Sequence, residues 1–142
     1  MAYVTQQQLV DRFGAQLLLQ LTDRAVPPAG QIDPAIVTGA IRDAGAVIDG
    51  YLAGRYQLPL EDVPDLVRDL ALSIAIYKLH PFAPDPKIQA DYDGALRALR
   101  DIANGTLRLS VAGIEPGGAD TSGVQFVDRE RSLTPENMRG FI

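Results

Sequence analysis

The chain has 142 residues (15.3 kDa), 46% of them hydrophobic and 22% charged, with a mean hydropathy of +0.01, ten Pro, thirteen Gly, one His and neither Cys nor Trp. This is enough chain for one small domain, too apolar for wholesale disorder, and without the run of roughly 18 to 20 apolar residues that a membrane span needs, so a soluble, folded protein is expected. Lack of cysteine excludes disulfides and thiolate chemistry, a single His argues against a multi-histidine metal site, and a net charge of −5 argues against a phosphate-gripping surface.

Thr5 suits the N-cap of a first helix through about Phe13, with Leu9, Val10 and Phe13 at helical spacing and Gly14 as a left-handed stop. A short second helical stretch, Gln16 to Leu21, must pack on something, and Thr22 to Ile32, with Pro27, Pro28 and Gly30, reads as a loop. Asp33-Pro34 then opens a helix to about Ala53, since Asp accepts from orphan amides and Pro at the first position has no amide to waste. Ile36, Val37, Ala40, Ile41, Ala44, Val47, Ile48, Tyr51 and Leu52 form its apolar stripe. Gly39, Gly45 and Gly50 within it each cost about 1 kcal/mol relative to Ala, which predicts close approach of another backbone.

Gly54 is expected to end that helix, and Arg55 to Leu60 to form an extended connector, because Pro59 biases its predecessor away from helix. Asp62-Val63-Pro64 starts a fourth helix that is apolar over a wide arc, expected to be the central one, and it stops at His80-Pro81. After a corner stiffened by Pro81, Pro84 and Pro86, a fifth helix runs from Asp85 to Ala103 with Ile88, Tyr92, Ala95, Leu96, Leu99 and Ile102 inward, closed by Asn104-Gly105. Thr106 to Val111 alternates like a strand, Ala112 to Gly123 is rich in Gly and small residues, and Thr134 to Gly140 resembles a capped helical turn. The expected fold is therefore mainly α: a compact bundle of four to five helices over 1–105, then an extended C-terminal arm, 106–142, with room for short β-strands. Fully drawn out, the arm reaches about 120 Å at about 3.3 Å per residue.

The chemistry-bearing residues have plainer readings. Glu61, Asp62, Asp65 and Asp69 offer carboxylates for a cation or a general base, but acids near a helix start are stabilised by the helix dipole, by about 0.3–1 kcal/mol each in the first turn. Asp91-Tyr92-Asp93-Gly94 superficially matches a calcium loop, yet lacks the third ligand and the closing Glu. His80 fits a helix C-cap, Gly117-Gly118 a hinge, and Tyr3, Tyr51, Tyr56 and Tyr77 a core cluster or a pocket. No catalytic residue, metal site or cofactor is expected, and an orphan hydrolase built on Asp62, Asp65 and Asp69 is the weakest reading.

Two features point to partners instead. Arg55 beside Tyr56 suits a subunit–subunit contact, because a planar guanidinium presents several donors at once. Val124, Phe126, Val127, Leu133, Met138, Phe141 and Ile142 are apolar side chains on a hinged extension, expected to seat in a partner's groove or on a sheet edge. The other course for them is to fold back on the parent bundle.

Ala2-Tyr3-Val4-Thr5, Leu9, Phe13-Gly14, and above all Ile48-Asp49-Gly50-Tyr51-Leu52-Ala53-Gly54-Arg55-Tyr56 with Leu58-Pro59-Leu60 resemble the Mu-like phage and prophage proteins of head-to-tail adaptor type. Asp69-Leu70-Ala71, Tyr77, Tyr92, Ala95-Leu96, Leu99, Asp101-Ile102-Ala103 and Gly105 extend the likeness over about residues 2 to 111. The resemblance implies a virion structural protein made in the host bacterial cytoplasm and placed at the head-to-tail interface. It implies a ring of neighbouring copies, twelvefold in such connectors, between the portal protein and tail-side connector proteins, with a C-terminal arm on the portal. DNA would pass through without sequence-specific binding, which suits an acidic surface. A tail-completion (stopper) protein and a DNA-packaging accessory protein are the alternatives.

Overall fold

Thr5 Oγ1 accepts the amide hydrogen of Gln8 at 3.2 Å while Gln8 Oε1 accepts that of Thr5 at 2.9 Å. This reciprocal capping box launches α1 (Gln6–Phe13) in a computed structural model that describes residues 1–110. Gly14 has the expected positive φ, +90°, but its ψ of 146° is extended, so it joins α1 to α2 (Ala15–Thr22) instead of forming a left-handed cap. The second helix is one residue longer at each end than its apolar pattern suggests. Thr22, 1% exposed, explains the C-terminal extension: its hydroxyl donates to Leu18 O at 2.7 Å and accepts from Asp33 N at 3.2 Å, tying α2 to the start of the next helix.

Asp33 caps α3 (Pro34–Leu52) through Ala35 N at 2.9 Å, as its position before Pro34 predicts. Gly54 is not the left-handed stop expected of it, since the positive-φ glycines among the described residues are Gly14, Gly30 and Gly105. The turn instead tightens through Arg55 N and Tyr56 N, both donating to Leu52 O. Helix α4 (Asp65–Leu79) starts three residues after Asp62, with Pro64 at its N-cap and no side-chain cap. Helix α5 (Pro86–Asn104) is capped by Asp85 through Lys87 N and closed by Gly105 in the left-handed conformation (φ 81°, ψ 4°).

Helices α3, α4 and α5 pack against one another, α1 lies on α3 and α4, and α2 packs on α1. The start of α3 lies at the end of α4 and the end of α3 at the end of α5, so the three alternate in direction. Helix α4 is central: Val67, Leu70, Ala71, Leu72, Ile74, Ala75, Ile76 and Leu79 are all buried. They meet Ile48 and Leu52 of α3 and Leu99 and Ile102 of α5 in one continuous core. Each such aliphatic side chain contributes about 1.5–3 kcal/mol when fully removed from water, and that burial carries a helix as glycine-rich as α3.

Only one of the three α3 glycines meets another backbone. A Cβ on Gly45 would lie 1.9 Å from the carbonyl oxygen of Met1, whereas Gly39 and Gly50 have nothing within 4 Å of that position. The N-terminal segment crosses α3 at Gly45 and is held there by Asp49, whose carboxylate takes the Met1 ammonium at 2.9 Å and a hydrogen bond from the Tyr3 hydroxyl.

The strand expected over 106–111 is not formed in 106–110. With no strand beside it, this stretch satisfies its backbone on the bundle: Leu107 N donates to Asp101 O at 3.1 Å, and Leu109 N to the Tyr56 hydroxyl at 3.0 Å. Leu109 is 8% exposed and belongs to the core, so the packed unit continues past Gly105.

Candidate functional site

The five-helix arrangement places two kinds of surface on the outside: a groove along α5 and an end built from two proline-rich loops. The groove, about 850 Å³, lies where α1 and α2 meet α4 and the first half of α5. Phe13, Leu17, Leu70, Ile88 and Ala95 give it apolar walls, and Gly94 leaves open space where a side chain would stand. Two ion pairs edge it. Arg12 is hydrogen-bonded to Asp69, and Lys87 Nζ lies 2.8 Å from Asp91 Oδ2 one helical turn on. His80 completes the end of α4 by donating from Nδ1 to Ile76 O at 2.7 Å, the capping role its position suggested.

At one end of the bundle the α2–α3 loop meets the α4–α5 corner. Arg24 joins them by donating to Leu79 O at 3.0 Å, and Asp23 braces the loop by accepting from the amides of Ala29 and Gly30. This end carries two large apolar side chains in water, Val26 at 98% and Phe82 at 86% exposure. Neither stands out by periodicity; the signal for both was an apolar residue directly beside loop prolines.

The opposite end holds Arg55 and Tyr56, the residues expected at a subunit contact. Tyr56 is 3% exposed and its hydroxyl is committed to Leu109 of the same chain. Arg55 lies across the end of α5, where a Cβ on Gly105 would come within 2.4 Å of Nη1. Both therefore hold the connector to the end of α5 and to the first residues of the C-terminal segment. The seven apolar residues expected to bind a partner, Val124 to Ile142, lie outside the described residues.

The carboxylate cluster disperses. Asp65 pairs with Arg68 at 2.7 Å and Asp69 with Arg12, and among the described residues no three acidic or histidine side chains converge as a cation site. Asp91 and Asp93 lie within α5, bonded to Lys87 and Gln89. Of Tyr3, Tyr51, Tyr56 and Tyr77, Tyr51 and Tyr77 come together beside Tyr92. Tyr77 stacks on Tyr92 with centroids 3.8 Å apart and planes within 4°, while Tyr3 and Tyr56 serve separate hydrogen bonds. Burial raises the pKa of the Tyr92 phenol, helped by Tyr77, Tyr51 and Asp93 nearby. Burial also pushes Tyr3 well up, and its hydrogen bond to Asp49 and that carboxylate's charge act in the same direction.

A family model described as Bacteriophage Mu, Gp36 matches residues 3–127. The chain belongs to this family. It is 33% identical over 140 residues to the Mu-like prophage FluMu protein gp36 of Haemophilus influenzae, covering 99% of this chain and 98% of that protein. It is 30% identical over 142 residues to gene product J of Escherichia phage Mu, along the whole of both chains. The family match runs past the limit near residue 111 that the residue pattern suggested. It spans the bundle, the glycine-rich stretch and Val124, Phe126 and Val127. Among the described residues of this Gp36-family protein, no helix is long and apolar enough to cross a membrane.

Proposed function

We propose that this Gp36-family protein is a structural virion component, a head-to-tail connector that forms a ring of copies between the portal protein and the tail-side connector proteins, around the DNA channel. The carrying observation is the division of the chain: a helical bundle in which Asp65 and Asp69 are paired with arginines, followed by a family-matched segment with apolar residues at its far end. That is the build of a part that assembles, and we assign it no reaction. The C-terminal residues dock on a neighbour or on the portal, since apolar side chains on an extension gain most by leaving water at another surface. A net charge of −5 repeated around a ring lets DNA pass without adhering.

Deleting Gly123–Ile142 tests this. The truncated protein should lose binding to the portal of its own phage while its helical circular dichroism and melting temperature stay close to those of the full chain, because the core of the described residues precedes the cut. A full-length chain that neither self-associates nor binds the portal in electron micrographs overturns the connector reading. Salt-dependent binding of duplex DNA at physiological ionic strength would instead favour the packaging accessory.

A further inference from the structure

The groove between α1–α2 and α5 is apolar inside, charged at its edges and open at Gly94, and nothing in the bundle fills it. We infer that it is the seat of the C-terminal segment, Val124 to Ile142, of a second copy of this chain. This rests on the ring reading above and identifies the two surfaces that would meet.

A ring closes through a contact between two different surfaces of each copy, repeated head to tail; a self-complementary patch closes a pair and stops. This chain carries such a pair of surfaces. The described residues end at Ser110, near the Tyr56 end of the bundle, whereas the groove runs along the Asp85 half of α5. Residues 111–123 separate that end point from Val124, and drawn out they reach about 43 Å. Helix α5, with 19 residues, is about 28 Å long. The segment therefore has the length to clear its own bundle and reach a neighbour.

The chemistry matches as well. Val124, Phe126 and Val127 supply large apolar side chains for walls made by Phe13, Leu17 and Ile88. Asp128-Arg129-Glu130-Arg131 follows directly, an alternation of sign suited to groove edges that carry the Arg12–Asp69 and Lys87–Asp91 pairs. Acids of the segment can lie beside Arg12 and Lys87 and its arginines beside Asp69 and Asp91, an alternation that favours one register.

The test uses two full-bundle variants, one lacking Gly123–Ile142 and one carrying Gly94→Leu. The leucine enters open space on a helix, so the fold is retained and only the groove is filled; circular dichroism verifies this for both. Native mass spectrometry of the full chain should show rings, each variant alone should be monomeric, and an equimolar mixture should give one-to-one pairs and nothing larger. A photoreactive residue at position 94 should crosslink to 124–142 of a different chain. Rings that survive the deletion or Gly94→Leu, a mixture that stays monomeric, or crosslinking confined within one chain overturns the inference and leaves the connector reading standing. A full chain that is monomeric with and without portal overturns both.

Discussion

The Tyr56 hydroxyl accepts the amide hydrogen of Leu109 at 3.0 Å across 53 residues of chain, with both residues buried. Through this bond the connector after α3 anchors the point from which the C-terminal segment departs. Tyr56→Phe leaves a buried amide without its acceptor, and we expect a loss of about 1–3 kcal/mol. Hydrogen exchange read residue by residue should show the Leu109 amide losing protection while Ile74 and Ile76, in the centre of α4, keep most of theirs. Unchanged protection at Leu109 would show that its burial alone holds the segment.

The glycines separate into those the fold needs and those it tolerates. Gly105→Ala meets both a positive φ of 81° and the Arg55 guanidinium, so it should destabilise the protein by about 1–2 kcal/mol. Gly50→Ala lies in α3 with a negative φ and open space around it, and should stabilise by about 0.5–1 kcal/mol. Urea melts of the two variants should move in opposite directions. If Gly50→Ala instead impairs ring formation while raising stability, that face of α3 packs against a neighbour.

Tyr3 couples stability to alkaline pH. Its phenol has an ordinary value of 10.0, and burial together with Asp49 raises it in the folded state. The unfolded chain therefore releases this proton first, so the stability linked to Tyr3 is complete below pH 10 and declines as pH rises from there towards the folded value. Tyr3→Phe should flatten the fall in unfolding free energy measured between pH 9 and 11. Part of the slope should remain, because Tyr92 is shifted in the same direction.

Much of the bundle was legible in the residues. Asp33-Pro34 and Asp85-Pro86 mark helix starts because a short carboxylate and a ring without an amide both suit the unsatisfied first turn, and both caps are in place. The capping box is equally local: Thr5 and Gln8 have the required spacing, and the Gln8 side chain adds a second bond to the one expected of the Thr5 hydroxyl. Gly54 misled because glycine after an apolar stripe is the usual stop, yet here the chain closes on Leu52 O with no left-handed residue. The acids at Asp65 and Asp69 have local partners, Arg68 one turn on and Arg12 from α1, in addition to the helix dipole that their position suggests.

The exposed apolar side chains and the contacts between remote segments were less legible. Phe82 is an ordinary apolar residue in the sequence, and only the corner between α4 and α5 turns it into solvent. Arg55 and Tyr56 suggest a contact between subunits from their chemistry alone, whereas the contacts seen are within the chain, to Gly105 and Leu109, and these depend on where the end of α5 comes to lie.

Helix positions, caps and the apolar face of each helix are written in the chain itself, because they depend on residues three or four apart and on backbone donors within one turn. The seat of Met1 on Gly45, the burial of Leu109 against Tyr56 and the groove beside Gly94 were decided by packing alone. Each brings together groups that are remote along the chain, and no local preference encodes which of several apolar or small residues will face one another once the helices have closed.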